Sequence, residues 1–197
     1  MTQTQNKTVF RVTAQIVAHI SSLQNTAPGR AMLAELRNSI GKPVSQSIGI
    51  WPIVFAFMPE EFLSARGKLT WEEQAILTSL QLYALHQQGK SESVALQEET
   101  DKWENMGHSL RTLRTGDEKA VDRRFNALIT AANYEELVHH LRQMIKLLKA
   151  KTDTKVNYAK LADDLYGFLR NYPETMRIRW AKAYYRTTMK KGEEDEQ

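Results

Sequence analysis

Apolar residues recur every three or four positions along nearly the whole chain, a spacing typical of α-helices that bury one face. Val9, Val12, Ile16 and Ile20 show it first and indicate an opening helix over 8–23. No segment shows sustained alternation of polar and apolar residues, and neither Asn-Gly nor Asp-Gly occurs as a hairpin turn. The sequence therefore predicts an all-α fold of two small helical bundles with no sheet.

Interruptions in the helical pattern locate the remaining helices. Thr70 and Glu73 have the spacing of a capping box, and Gly89 suits the end of the helix that follows. Asn133 and Asn157 suit helix starts, because their side chains can accept hydrogen bonds from free backbone amides. The pattern predicts further helices over 30–40, 51–59, 70–89, 108–114, 117–132, 134–151, 157–170 and 174–190.

The formal net charge of +4 is unevenly distributed over the 197 residues. Residues 1–105 contain 9 basic and 10 acidic side chains, whereas residues 106–191 contain 18 basic and 9 acidic ones. We expect an N-terminal bundle with an acidic connecting segment (1–105), a basic C-terminal bundle (106–191) and an acidic tail (192–197). Such asymmetry points to a polyanionic partner, although a solvated basic surface would give the same counts.

Helical geometry gathers many of these cations on single faces. The last predicted helix carries four of them within an arc of about 80°: Arg179, Lys182, Arg186 and Lys190. Earlier helices carry a stripe of three and two pairs, namely Arg142, Lys146 and Lys149, Arg111 with Arg114, and Arg123 with Arg124. Like charges three or four residues apart on a helix repel, so nearby acids or a bound polyanion must offset them. Because acidic residues lie mainly in the first turns, the clustering favours a polyanion.

Aromatic residues in the same helices can stack on bases or pack in a core. The last predicted helix has an apolar stripe made of Met176, Trp180 and Tyr184 and widened by Ile178 and Tyr185. Trp71 also lies at a helical core spacing. We therefore expect Trp71, Trp180 and Tyr184 to be buried.

Side chains suited to catalysis are sparse. The chain contains no Cys, no HExxH motif and no phosphate-binding loop, and His139 and His140 point about 100° apart on a helix. Asp163 and Asp164 form the only acidic pair that is a candidate for catalysis, and we expect them to form surface ion pairs instead. We expect no enzyme, no cofactor and no metal; a metal-dependent phosphoesterase that uses Asp163 and Asp164 is the enzymatic alternative.

The chain carries no sign of membrane attachment or secretion. No stretch approaches the roughly 18 apolar residues that cross a bilayer, and the first residues lack the apolar core of a secretion signal. The absence of Cys suits a reducing compartment. The sequence therefore predicts a cytoplasmic protein with no membrane partner.

Three short motifs stand out among the predicted helices: RRF at 123–125, DDLY at 163–166 and RWAKAYYR at 179–186. Together with the helical blocks that precede them, in this order and spacing, they resemble the CasB family. CasB is the small subunit of the type I-E CRISPR surveillance complex, Cascade. The resemblance covers about residues 30–186.

The resemblance implies a non-enzymatic, all-α subunit without a cofactor. The implied partners are the large subunit, the guide-RNA-bearing backbone subunits, a second copy of the chain, the guide RNA and the target DNA. In that family a separately recruited protein cleaves DNA and base pairing reads the sequence, so this subunit need only contact backbone and stabilise the opened target, the R-loop. A helical adaptor whose basic face binds an acidic protein is the alternative.

Basic positions in the matching blocks are carried over as candidates for nucleic-acid binding: Arg30, Arg37, Arg111, Arg114, Arg123, Arg124, Arg142, Lys146, Lys149, Arg179, Lys182 and Arg186. We expect about half of them to contact nucleic acid and the others to serve packing or subunit interfaces. Arg124 is a candidate for an internal ion pair with Asp163 or Asp164. Arg37 and Arg179 are candidates for subunit contacts.

Overall fold

The structure is a computed structural model, and it describes residues 8–64, 67–96, 103–115 and 118–186. These ranges contain nine α-helices: α1 (Val9–Leu23), α2 (Ala27–Asn38), α3 (Trp51–Phe55), α4 (Trp71–Gln87), α5 (Met106–Arg111), α6 (Glu118–Ile129), α7 (Tyr134–Lys151), α8 (Tyr158–Leu169) and α9 (Pro173–Tyr185). Three short 3₁₀ turns connect α2 to α4, at Val44–Gln46, Ile48–Ile50 and Glu60–Phe62. In the described part of the chain, β pairing is limited to an isolated bridge between Ala95 and Val156. The prediction of an all-α protein is confirmed.

Polar side chains fix several helix starts as predicted. Thr70 Oγ1 accepts a hydrogen bond from Glu73 N at 3.1 Å, and Glu73 Oε2 accepts one from Thr70 N at 2.6 Å. This reciprocal pair confirms the capping box of α4. Asn133 and Asn157 cap α7 and α8 in the same manner. Gly89 follows α4 with a φ of +80°, a conformation that favours glycine and ends the helix.

Other predicted bounds shift by about one turn. α2 begins at Ala27 rather than at residue 30, because Thr26 caps it and proline is tolerated in a first turn. α3 ends at Phe55, short of the predicted 51–59. α5 begins at Met106 rather than at residue 108, because Asn105 provides its cap. The last helix ends at Tyr185 because Arg186 has an extended backbone, so the predicted extension toward residue 190 is wrong at Arg186. Lys190 and the predicted acidic tail lie outside the described residues.

Helix α4 is the centre of the core. Twelve of its 17 residues are buried, so it is covered on nearly all sides rather than along one stripe. Its partners include helices from beyond residue 105: Ser79 Oγ donates to Tyr158 O at 2.7 Å, and Tyr134 OH donates to Thr78 Oγ1 at 3.0 Å. A single cluster of buried apolar side chains joins the two halves. The change in charge at residue 105 therefore falls within one shared core, and separate folding of the two segments stays a prediction.

Candidate nucleic-acid interface

A groove of about 700 Å³ lies where the start of α1 meets α5, α8 and α9, and we call it the α9 groove. Three of the predicted site residues, Arg179, Lys182 and Arg186, are exposed here. Among the described residues that line the groove, five side chains are cationic and one is a carboxylate, so this part of the chain has a local excess of positive charge. Its lining consists of Thr8, Phe10, Arg11, Trp103, Asn105, His108, Lys160, Asp163, Arg179, Lys182, Ala183 and Arg186.

The contact between α5 and α9 positions the cations of this groove. Asn105 Oδ1 accepts from Gly107 N at 2.9 Å, while its Nδ2 donates to Arg179 O at 3.4 Å. The two helices approach so closely at Gly107 that a Cβ atom there would lie 2.2 Å from Trp180 O. Only glycine fits this approach without a shift of one helix. The position of α9 and of its cations therefore depends on Gly107, because this glycine allows the close approach of α5 to α9.

A buried ion pair within α8 lies beneath the groove, and a hydrogen bond from Trp180 joins it to α9. Lys160 Nζ lies 2.7 Å from Asp163 Oδ2 and 2.6 Å from Asp164 Oδ1, and Trp180 Nε1 donates to Asp164 Oδ2 at 2.7 Å. Burial opposes the charge on Lys160, but Asp164 and Asp163 outweigh it and raise the Lys160 pKa. Asp164 is buried, so the expectation that both carboxylates form surface ion pairs is wrong for it. Their partner is Lys160, and the predicted pairing with Arg124 is also wrong.

A second group of cations surrounds a cleft of about 320 Å³ between the end of α1, α2 and the turn after α4, and we call it the α2 cleft. Arg30, Arg37 and Lys90 line it. Lys149 reaches its rim from α7, where the ammonium donates to a glutamine side chain at 3.1 Å. Burial, together with repulsion from Arg37 and Lys90, lowers the pKa of Lys149. The structure thus brings together three predicted residues from two helices that are distant in sequence.

Six predicted residues lie outside both sites, in varied environments. Arg111 Nη1 donates to the carbonyl of Arg186 at 3.3 Å and so fastens the end of α9. Arg123 and Arg124 are exposed on α6, and Lys146 is exposed on α7. Arg142 lines a third groove, separate from Lys149.

Arg114, the sixth of these residues, has structural contacts. Its guanidinium lies 2.9 and 3.2 Å from the two carboxylate oxygens of Asp122 and 5.4 Å from the ring centres of Tyr184 and Tyr185. Tyr184 OH donates to the same carboxylate at 2.7 Å. Burial would raise the pKa of Asp122, but the hydrogen bonds from Tyr184 and Arg114 outweigh it and lower that pKa. Arg114 therefore holds α6 against α9.

Burial was predicted for three aromatic residues, and the structure confirms it for two of them. Trp180 and Tyr184 are fully buried, as expected. Trp71 is 50% exposed, so its predicted burial is wrong: it is the first residue of α4 and precedes the buried part of that helix. Ile178 is 52% exposed and does not widen the apolar stripe. It lies two residues after Met176, about 200° around the helix, and so faces away from the core.

Sequence reasoning missed several members of both sites. Arg11 and Trp103 enter the α9 groove from the near-neutral half of the chain, and Trp103 is 74% exposed there. His108 joins them, and its Nδ1 accepts from Asn105 N at 3.1 Å. Lys90 joins the α2 cleft from the turn after α4. No local pattern marks these residues, because only tertiary packing brings them to the sites.

The described residues lack two other kinds of site. Among them, no group of three or more His, Asp or Glu side chains is arranged to hold a metal ion. None of the helices within the described ranges combines the length and the apolar character needed to cross a membrane.

Comparisons with known proteins agree with this architecture. The profile of the family described as CRISPR-associated protein Cse2 matches residues 32–185. The crystal structure of CasB from Thermobifida fusca has a TM-score of 0.72 at 23% identity, over 90% of this chain and 98% of that one. CasB from Thermus thermophilus gives 0.60 at 25% identity, over 88% and 97%, and CasB from M. ruber gives 0.65 at 23% identity, over 88% and 92%. No curated protein matches the sequence.

The family match begins within α2 and ends at the last residue of α9. It includes every cation of the α9 groove and the α2 cleft except Arg11, Arg30 and Arg186. The solved structures show the same fold over nearly their whole length. The resemblance seen in the sequence is therefore confirmed: the chain belongs to the CRISPR-associated Cse2 family, also called CasB.

Proposed function

We propose that this protein is a non-catalytic subunit of a type I-E CRISPR RNA-guided surveillance complex, Cascade, and that it stabilises opened target DNA by contacts to the nucleic-acid backbone. The observation that carries the proposal is the α9 groove, where cations from α1 and α9 meet and where Asp163 is the one carboxylate among the lining residues that the structure describes. The α8 cation of the groove, Lys160, is paired with Asp163 and Asp164. Phosphate groups neutralise such a cluster without reading bases.

The proposal places the chain in the cytoplasm among several partners. These are the large subunit, the guide-RNA-bearing backbone subunits, a second copy of the chain, the guide RNA and the target DNA. The family membership supports such an assembly. The surface chemistry supports the nucleic-acid part, since base pairing reads the target and leaves the protein to recognise backbone.

The two basic sites lie toward opposite ends of α1. Arg11 lines the α9 groove near the start of α1, and Gln24 lines the α2 cleft just after its end. At a rise of about 1.5 Å per residue, these positions are about 20 Å apart along the helix. A strand that rises about 3.4 Å per nucleotide covers this distance in about six nucleotides. The two positions are also about 220° apart around α1, so the axial distance alone does not make the two sites one continuous surface.

The carboxylates under the α9 groove support a non-catalytic role. A phosphoesterase using Asp163 and Asp164 would need a metal ion between them, but the Lys160 ammonium occupies this position at 2.7 and 2.6 Å. Metal-dependent cleavage of DNA or RNA that is lost on Asp163→Asn would contradict the proposal.

Charge reversal in the α9 groove tests the backbone contact. We expect Lys182→Glu/Arg186→Glu to weaken binding of a 20-nucleotide oligothymidylate, measured by fluorescence anisotropy across a salt series. Two lost phosphate contacts lower the salt slope by about 1.4 for a single strand. The matched control is Lys151→Glu/Lys155→Glu, which changes the net charge equally at exposed positions outside both sites. Equal weakening by the two variants would refute a specific contact.

The role in the complex requires a second measurement. In Cascade reconstituted with the partner subunits, the Lys182→Glu/Arg186→Glu variant is expected to assemble normally but to release target DNA faster. The control variant should retain target DNA as the native chain does. If the Lys182→Glu/Arg186→Glu complex retained target DNA as long as the native complex does, the proposed stabilisation of the R-loop would be wrong.

A further inference from the structure

A third groove, of about 370 Å³, lies between α4 and α7 at the end of α2, and we call it the Arg142 groove. The partly exposed aliphatic side chains of Ile40 and Val138 lie among its lining, with Gln74 and Glu135 beside them. An apolar surface with a polar surround is typical of a protein-docking surface. The two basic sites described above are instead dominated by cations.

Arg142 is the least satisfied charged residue of this groove. Its Nε atom is shielded from solvent and has no hydrogen-bond partner. The guanidinium makes no ion pair with any residue that the structure describes, whereas Arg114 and Arg177 each bind a carboxylate. The terminal nitrogens of the guanidinium also lack a partner among the residues that the structure describes, so an acceptor from outside the chain can pair with them. A carboxylate suits the planar guanidinium because the two groups can form paired hydrogen bonds.

The charge balance separates this groove from the nucleic-acid sites. Of the described residues that line this groove, Arg142 is the one permanent cation, and Glu135 provides an opposing carboxylate. A phosphodiester strand would gain little here, because several phosphates would meet one arginine and one repelling acid. A single carboxylate beside an aliphatic side chain matches both the arginine and the apolar surface.

We infer that the Arg142 groove docks a segment of a partner protein that presents one Asp or Glu carboxylate to Arg142 and an aliphatic side chain to the groove. This goes beyond the proposed nucleic-acid contact and does not require it. It also assigns Arg142 to a protein interface rather than to the nucleic-acid surface. Arginine is enriched among the residues that dominate such interfaces.

Two blocked tripeptides provide the test on the native chain: acetyl-Leu-Glu-Leu-amide and its neutral counterpart acetyl-Leu-Gln-Leu-amide. The readout is the ¹⁵N NMR signal of Arg142 Nε–H, assigned by its loss in Arg142→Lys. We expect a saturable shift with the Glu peptide and binding about tenfold or more weaker with the Gln peptide, because a charged acceptor strengthens the hydrogen bond. This comparison does not depend on the folding of any variant.

Inorganic phosphate and the 20-nucleotide oligothymidylate are titrated in parallel. Neither should produce a saturable shift of the Arg142 signal at concentrations where the Glu peptide does. The inference is overturned if neither peptide shifts the signal, if both bind equally, or if phosphate or the oligonucleotide shifts it as strongly as the Glu peptide. The last result would place Arg142 in the nucleic-acid interface.

Discussion

His86 makes the stability of this protein depend on pH. It is 1% exposed on α4, and its Nδ1 lies 2.9 Å from the hydroxyl of Tyr158. Burial raises the pKa of Tyr158 well above its ordinary value, so Tyr158 keeps its proton and can donate it to a neutral His86. Burial, together with Lys90 and Lys149, lowers the pKa of His86 from 6.5 to about 4. The folded state therefore requires a neutral imidazole.

The direction and size of the change in the free energy of unfolding follow from the difference between the two pKa values of His86, 6.5 in the unfolded chain and about 4 in the folded one. Below pH 6.5 the unfolded chain binds a proton at His86, whereas the folded chain binds this proton only below about pH 4. Stability from this residue is thus fully present above pH 6.5 and is lost progressively as the pH falls to about 4. At about 1.36 kcal/mol for each pKa unit, the loss is about 3 kcal/mol. That is a large part of the 5–15 kcal/mol typical of a domain, so it is measurable.

Urea unfolding followed by circular dichroism at pH 7, 6, 5 and 4 measures the effect. The variant His86→Leu/Tyr158→Phe removes both polar groups, and we expect the native chain to lose about 3 kcal/mol more than this variant between pH 7 and 4. Carboxylates titrate in both proteins, so their contribution cancels. The control His139→Leu changes an exposed histidine and should keep the native pH dependence. An equal loss in the native chain and the double variant would refute the reasoning.

Three further variants test contacts that position the sites, each by urea unfolding at pH 7. Gly107→Ala should destabilise the protein by about 1–3 kcal/mol, because the new Cβ meets Trp180 O; no change in stability would contradict the close approach. Asp164→Asn should destabilise it by about 3 kcal/mol, since Lys160 loses its buried carboxylate, and a cost below about 0.5 kcal/mol would show that Asp163 suffices. Thr70→Ala should lower the free energy of unfolding by about 1 kcal/mol through loss of the α4 cap. A variant as stable as the native chain would show that this cap does not stabilise the protein.

Features that depend on near neighbours in sequence were predictable. The capping box at Thr70 and Glu73 joins residues three apart, so the sequence pattern contains the whole interaction. The basic face formed by Arg179 and Lys182 likewise depends on α9 alone, and Arg186 follows the last residue of that helix. Tertiary contacts were not needed for either inference.

Features that depend on packing between distant segments were not predictable. Arg11 joins Arg179 in one groove although 168 positions separate them, and no local pattern indicates this. Asp164 lies four residues after its partner Lys160 on α8, which is a local spacing, but its burial depends on Trp180 of α9, which donates to the same carboxylate. Burial of a charged residue is decided by partners that the sequence does not place side by side.

The burial of α4 on nearly every side has a consequence for dissecting the protein. A fragment that ends before α5 would expose the apolar surface that α4 buries against α7 and α8, and it would tend to self-associate. Mixed with the complementary fragment, however, α4 could regain its missing neighbours. Cleavage in the segment after α4 should therefore yield two chains that reassemble with each other, and α4 would act as the recognition element between them.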